Sequence, residues 1–284
     1  MRFEAPGTID GAVALLAAED GLTRVLAGGT DVLVQLKSGM VEPDLIIDIK
    51  RIPGMFDITE EDGGYRIGAA VPGVAMGEHA GVSAMWPGVV EGLELVGSTQ
   101  IQSRATLGGN LCNASPAADS VPAMIAAAAV ARVHGPDGVR DVPVEEIATA
   151  PGKNSLARGE MVGSIFLPAR PANASDAYLR FIPRTEMDIA VVGAGVSLVM
   201  DGDTVKDARV ALGAVAPTAR LVPDAAAALI GRTIDAAEAD LKAAASAACS
   251  PINDKRGTIE FRTKVSGVLA VRAARIAADR AKGA

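Results

Sequence analysis

The sequence predicts an α+β protein of three lobes. Short strand-like and helix-like runs succeed one another through the first 172 residues, punctuated by glycine-rich turns. Two or three antiparallel strands follow around a turn at Asp201, Gly202 and Asp203, and the end of the chain reads as helix. These observations place an N-terminal lobe at residues 1–55, a middle lobe at 56–172 and a C-terminal lobe at 173–284.

Taken in order, residues 8–19 read as a helix capped by Thr8 or Asp10, with Val13, Leu15 and Leu16 as its apolar stripe. "TRVLAGGTDVLVQLKSG" reads as strand, glycine turn and helix, and "DLIIDIKRI" as a buried strand. A strand is predicted in "GGYRIGAAVP", then helices at 74–81 and 88–97. The glycine-rich segment 106–120 reads as a loop that leads into an alanine-rich helix near 120–129. "ARVHGPDGVRDVPV" has the pattern of a hairpin turned by Pro136, Asp137 and Gly138, and "GEMVGSIFLP" that of a further strand. The polar, turn-rich residues 171–176 are the best linker candidate. The last helices are predicted at 224–231, 235–248 and 257–282.

Bulk composition narrows the function. Apolar residues make up 49% and charged residues 21%, which suits a packed globular chain. A net charge of −7 with no lysine or arginine block argues against a nucleic-acid partner. Aromatics are only 3%, so the core must be aliphatic. Mean hydropathy is +0.29, high enough to suggest some surface covered by a partner. The start carries no basic segment followed by an apolar one, and the longest apolar run, residues 121–133, is too short to span a bilayer; a cytoplasmic location is expected. Two cysteines, Cys112 and Cys249, suffice neither for a disulfide framework nor for an iron–sulfur cluster, and His79 and His134 have no ligand-like neighbours. Redox chemistry on this chain would therefore need an organic cofactor.

Two glycine pairs carry the functional signal. In "LAGGTD", residues 26–31, a strand ends at Ala27, and Gly28 and Gly29 can turn their backbone N–H groups towards an anion. Thr30 adds a hydroxyl and the next helix its N-terminal N–H groups. A plain strand-to-helix turn would look the same. The pair is neither the spaced glycine fingerprint of nicotinamide-binding folds nor a Walker loop, because the third glycine and the Gly-Lys-Ser/Thr are missing. In "TLGGNLCNASPAAD", residues 106–119, Gly108 and Gly109 again allow close backbone approach, with Thr106, Asn110, Ser115 and Asp119 as polar neighbours. An Asn/Pro/Gly surface loop is the competing reading.

Together the two motifs resemble the FAD-binding subunit of the molybdenum hydroxylases, the xanthine dehydrogenase and carbon monoxide dehydrogenase family. The lead-in "VGSTQIQSRATLGGN" matches too, as do "RFIPRTEMDIAVVGAGV" at 180–196, "F-x-A-P" at 3–6 and "RTKVSGVLAVRA" at 262–273. The resemblance covers nearly the whole chain. It implies a two-lobed, PCMH-type FAD-binding fold followed by a C-terminal α+β domain with a small antiparallel sheet and helices. It implies that Leu26, Ala27, Gly28, Gly29, Thr30 and Asp31 grip the FAD pyrophosphate from one lobe, and Thr106, Leu107, Gly108, Gly109 and Asn110 from the other. Asp119 matches an aspartate that binds FAD hydroxyls, Val162 an aliphatic FAD contact, and Arg180 a basic FAD contact that is often lysine. The strand "MDIAVV" would lie near the isoalloxazine ring.

The resemblance further implies an oxidoreductase subunit with no catalytic side chain of its own. It would take electrons from two [2Fe–2S] clusters on a small subunit and pass them through FAD to an external acceptor. A large subunit would hold the molybdenum cofactor, in a heterotrimer expected to dimerise. The inserted cysteine cluster of some relatives is absent, and no histidine lies in either glycine loop for covalent flavin attachment. Two other readings remain. A stand-alone FAD oxidoreductase would need an acid or base near the ring, with Asp188 and Glu186 as candidates, and a scaffold that has lost FAD would be colourless. Cys112 reads as a small packed residue, His79 and His134 as surface or turn histidines, and Trp86 as a lobe anchor. Lys255, Arg256, Arg262, Lys264, Arg272, Arg275 and Arg280 read as a solvated helix face, or as one that docks a partner.

Overall fold

The computed structural model describes residues 1–185 and 187–283. Its first sheet is small and parallel. It comprises β1 (Arg2–Glu4), β2 (Thr23–Leu26) and β3 (Leu45–Asp48), in the order β1-β3-β2, with helices α1 (Ile9–Ala18) and α2 (Val32–Lys37) in the connections. Thr8 caps α1 by accepting a hydrogen bond from the Gly11 N–H at 3.1 Å. The helix buries Ala12, Val13 and Leu16 beside Leu45 and Ile47 of β3, a central strand apolar and buried over Leu45, Ile46 and Ile47, as a parallel sheet needs.

The second sheet has five antiparallel strands: β4 (Ile58–Glu61), β5 (Gly64–Gly68), β6 (Val130–Gly135), β7 (Gly138–Pro143) and β10 (Met161–Leu167), ordered β4-β5-β10-β6-β7. Between them run helices α3 (Gly73–Glu78), α4 (Ala80–Met85), α5 (Pro87–Glu94), α6 (Leu107–Cys112) and α7 (Ser120–Ala126), and a two-strand ribbon of β8 (Ala148–Ala150) and β9 (Lys153–Asn154). Two expectations change here. The helix expected at 74–81 breaks at His79, whose Nδ1 accepts from the Val82 N–H at 3.2 Å and so starts α4. The segment 106–120, expected as loop, contains α6. Thr106 caps it, its Oγ1 accepting from the Gly109 N–H at 2.9 Å, and Leu107 and Leu111 form a buried i, i+4 pair. Its glycine content masks that pair in the sequence.

The third sheet is antiparallel, β11 (Ala174–Phe181), β12 (Val192–Asp201), β13 (Thr204–Gly213) and β14 (Arg220–Leu221), covered by α8 (Pro223–Leu229), α9 (Ile234–Ala247) and α10 (Ile259–Ala281). The residues read as a linker are half strand: β11 begins at Ala174, and Ser175 and Asp176 are buried. Asp176 is polar because it bonds outward, its Oδ2 accepting from the Val89 N–H of α5 at 3.2 Å. The charged face of α10 is also not simply solvated. Arg262 is 4% exposed and donates to the carbonyls of Val191 and Ala214 and to Asp254. Arg256 pairs with Asp188, Arg275 with Asp235 and Glu238, and Arg280 with Glu91. These four basic side chains cross between elements, whereas Lys255, Lys264 and Arg272 are exposed, as a solvated face would be.

Trp86 joins the middle lobe to the segment that enters β11. It is buried, its indole N–H donates to the Pro168 carbonyl at 2.9 Å, and the Arg170 guanidinium lies 5.2 Å from its ring. Among the described residues no helix is long and apolar enough to cross a membrane.

Candidate functional site

A cleft of about 860 Å3 runs between the first two lobes. Such a volume is at the upper end for small-molecule sites. The loop after β2 forms one wall, α6 with its lead-in a second, and residues 149–162 around β9 and the start of β10 a third.

The first wall follows from local chemistry. β2 ends at Leu26, and Gly29 takes a φ of +83°, which turns the chain into α2. Among the described residues the backbone N–H groups of residues 28–31 find no acceptor in the protein. An anionic ligand with several oxygens satisfies such a row of donors. Gly28 has a different reason to be glycine from the one its sequence suggests. Its missing side chain makes room for the chain at Arg104 and Ala105, so the first loop sits directly on the lead-in to the second. Lys50 braces it, its Nζ donating to the Ala27 carbonyl at 3.2 Å.

The second wall is a short helix, not an open loop. Gly108 lets α6 seat on Ala69, which follows β5: a Cβ there would meet the Ala69 Cβ and carbonyl oxygen at 3.1 Å. Gly109 lines the cleft behind the Thr106 cap. Asn110 is anchored, its Oδ1 accepting from the Ser120 hydroxyl at 2.7 Å.

The predicted site residues divide into two groups. Ala27, Gly28, Gly29, Thr30, Asp31, Thr106, Gly108, Gly109, Asn110 and Val162 all line the cleft. Leu26 and Leu107 do not. Both side chains are buried in the core, because each is the apolar residue that anchors the strand or helix beside its glycine turn. Asp119 and Arg180 also lie off the cleft wall and are paired with each other at 2.8 Å, each side chain 8% exposed. Arg180 also donates to the Leu95 carbonyl at 2.7 Å, next to Val96 on the cleft wall, and the Tyr178 hydroxyl donates to Asp119 at 2.9 Å. Burial pushes the Asp119 carboxyl up to about 6 against the pull of Arg180 and Tyr178, and burial beside Asp119 raises the Tyr178 phenol. This trio ties the C-terminal lobe to the residue before Ser120, and Ser120 holds Asn110.

Cys112 lines the cleft, and burial pushes its thiol up to about 12, which keeps it a neutral packed group. Asp188 is held near 2 by the guanidinium groups of Arg256 and Arg184, so it is an ion-pair partner and not a base. Glu186 lies outside the described residues. Several cleft residues were not singled out from the sequence: Gln35, Asn113, Lys153, Asn154 and Arg158. Asn113 and Gln35 sit inside or just after the quoted glycine motifs, where each offers a polar signal, but Lys153, Asn154 and Arg158 occupy a segment with no glycine pair to mark it.

The comparisons agree with this geometry. Residues 1–170 match the family model described as "FAD binding domain in molybdopterin dehydrogenase", and residues 177–277 match "CO dehydrogenase flavoprotein C-terminal domain". The carbon monoxide dehydrogenase medium chain of Hydrogenophaga pseudoflava is 33% identical over 276 residues, 96% of each chain. The xanthine dehydrogenase FAD-binding subunit of Escherichia coli O157:H7 is 33% identical over 218 residues, 76% of this chain and 74% of the relative. The solved structure of reconstituted CO dehydrogenase from Oligotropha carboxidovorans superposes with a TM-score of 0.94 at 30% identity, covering 99% of this chain and 98% of that one. A cleft lined by both glycine pairs, a matching family model over more than half the chain and full-length relatives lead to one conclusion: this chain belongs to the family of FAD-binding subunits of molybdopterin dehydrogenases, the xanthine and CO dehydrogenase type.

Proposed function

We propose that this subunit carries electrons within a molybdenum-containing hydroxylase or dehydrogenase, from the [2Fe–2S] clusters of a small subunit through FAD to an external acceptor. The large molybdenum-cofactor subunit, on this reading, completes a heterotrimer that dimerises. The observation that carries the proposal is the meeting of the two glycine loops at Gly28 and Arg104, with the N–H groups of residues 28–31 left for an anion. FAD, when bound, supplies the redox chemistry, and the chain supplies binding, orientation and shielding.

In this reading the backbone of residues 26–31 and 106–110 holds the pyrophosphate, with Leu26 and Leu107 contributing main chain only. Val162 adds an apolar contact. Asp119 and Arg180 act as a buried pair behind the cleft, fixing the second loop through Ser120 and Asn110. The lobe divisions at 55/56 and 172/173 are kept as part of the same proposal. The absence of a free acid or base at Asp188 favours an electron-transfer subunit over a stand-alone FAD oxidoreductase.

Gentle purification of the tagged chain from its host tests the proposal. A yellow complex with equal amounts of a large molybdenum-containing chain and a small iron–sulfur chain, its flavin bleached on addition of the complex's own substrate, is the expected result. A lone yellow protein that turns over a reductant by itself would favour the stand-alone enzyme instead.

A further inference from the structure

The segment after the first glycine turn differs from the rest of the cleft wall. Helix α2 buries none of its six side chains, whereas α1, in the same lobe, buries three. Leu33, Val34 and Met40 are 54%, 64% and 74% exposed. The segment lies between two glycines in the left-handed region, Gly29 at φ +83° and Gly39 at φ +68°. Its hydrogen bonds close on themselves: Leu33 N–H to the Gly29 carbonyl, Gln35 N–H to Asp31, Ser38 N–H to Val34 and Met40 N–H to Gln35. Among the described residues one hydrogen bond leaves residues 29–41. The Gln35 side-chain amide donates to Asn113 Oδ1 at 3.0 Å, across 78 positions and onto the end of α6. Asp31, Val32, Gln35, Met40 and Asn113 all line the cleft.

We propose that residues 30–38 are a lid over the flavin cleft, hinged at Gly29 and Gly39 and latched by Gln35 against Asn113. The segment can swing as a unit, because opening breaks one side-chain hydrogen bond, Gln35 to Asn113, and one backbone bond across the second hinge, Met40 N–H to the Gln35 carbonyl, and uncovers no core. Few buried contacts, hinges tolerant of φ change and an internal hydrogen-bond pattern are what a low-stability gating element needs. The latch joins the lobe of the first glycine loop to the lobe of the second, so closing it holds both loops around one ligand. Gln35 and Asn113 are thus positioning residues: they govern how long FAD stays and not what it does. This inference rests on the reading of the cleft as the FAD site.

The test uses the full chain with whatever subunits it brings from its host, loaded with FAD. Release is followed by the rise in free-flavin fluorescence after dilution. Gln35→Met, which keeps length, and Asn113→Ala should each speed release about fivefold, the loss of one neutral hydrogen bond. The double variant should release no faster than either single one, since both remove the same bond. In hydrogen exchange, amides of residues 31–38 should slow on FAD loading by more than those of α1. Unchanged release in yellow, folded variants, additive effects in the double variant, or equal exchange of residues 31–38 with and without FAD would overturn the lid. A wild-type complex that holds no FAD would overturn the reading of the cleft itself.

Discussion

A methyl group on Gly28 would lie 1.7 Å from the carbonyl oxygen of Arg104. These two residues, 76 positions apart, are where the loop after β2 rests on the chain entering α6, and no side chain fits between them.

Gly28→Ala should therefore separate the loops. Overpacking of this kind costs roughly 1–3 kcal/mol, and the displaced backbone no longer presents both walls to one ligand. FAD affinity should fall by about tenfold or more, a loss of roughly 1.4 kcal/mol or more, together with the melting temperature. Flavin titration beside a thermal scan measures both. Wild-type affinity in a stable Gly28→Ala protein would mean that the two loops do not share the cofactor.

The Asp119–Arg180 pair gives a second prediction. Arg180→Ala strands a buried carboxylate with only the Tyr178 hydroxyl, and losing one partner of a buried pair costs about 3–5 kcal/mol. Replacing all three with apolar residues, Asp119→Leu, Arg180→Met and Tyr178→Phe so that no buried hydroxyl is left unpaired, should recover most of that stability without recovering the anchoring of the second loop. Urea unfolding of the two variants separates these outcomes, and equal stability of Arg180→Ala and wild type would show that the pair carries nothing.

Asp176 predicts a pH dependence. Burial pushes its carboxyl from 3.8 up to about 7. The folded state then binds a proton more tightly than the unfolded chain does. Between about pH 4 and 7 the folded form keeps that proton and the unfolded form has lost it, so this residue's contribution to stability falls as pH rises, by at most about 1.4 kcal/mol per unit. Asp176→Asn keeps an acceptor for the Val89 N–H and removes the titration. The stability difference between variant and wild type should grow in the variant's favour from pH 4 to 7. A constant difference would mean that Arg170, 3.4 Å away, keeps Asp176 ionised throughout.

Cys112 should be inert. With its thiol pushed up to about 12 by burial, it carries almost no thiolate at pH 8. A disulfide reagent such as DTNB should modify it only on unfolding, and Cys112→Ser should leave the flavin absorbance spectrum unchanged. Rapid labelling of Cys112 in the folded protein would contradict the packed reading.

Local features were legible because they are written in neighbouring residues. Thr8 announces its helix three residues before the N–H it caps, and Pro136 and Asp137 form the turn that joins β6 to β7, with Gly138 as the first residue of β7. The glycine pairs marked two of the three cleft walls. What was misread depended on distant partners. Asp176 looks like linker until α5 supplies the N–H it accepts, and Arg262 looks solvated until Val191, Ala214 and Asp254 surround it. The third wall, residues 149–162, was marked only at Val162, because it reaches the cleft through the pairing of β10 with β5 and β6 and through the Asn154 amide on the Cys112 carbonyl.

By itself the sequence determined the class of fold, most of its longer strands and helices, the two glycine turns and the family that their combination resembles. The elements and turns are set by backbone propensity, capping and apolar period within a few residues, while the family rests on the resemblance of motifs spread along the chain. The tertiary structure alone decided which of the site's side chains meet one another. Asp119 and Arg180, read as cofactor contacts, turn towards each other because a buried charge needs a partner more than an open cleft needs a lining. Gly28, read as a cradle for an anion, is first of all the place where two lobes touch, since only the folded chain brings the Arg104 carbonyl against it.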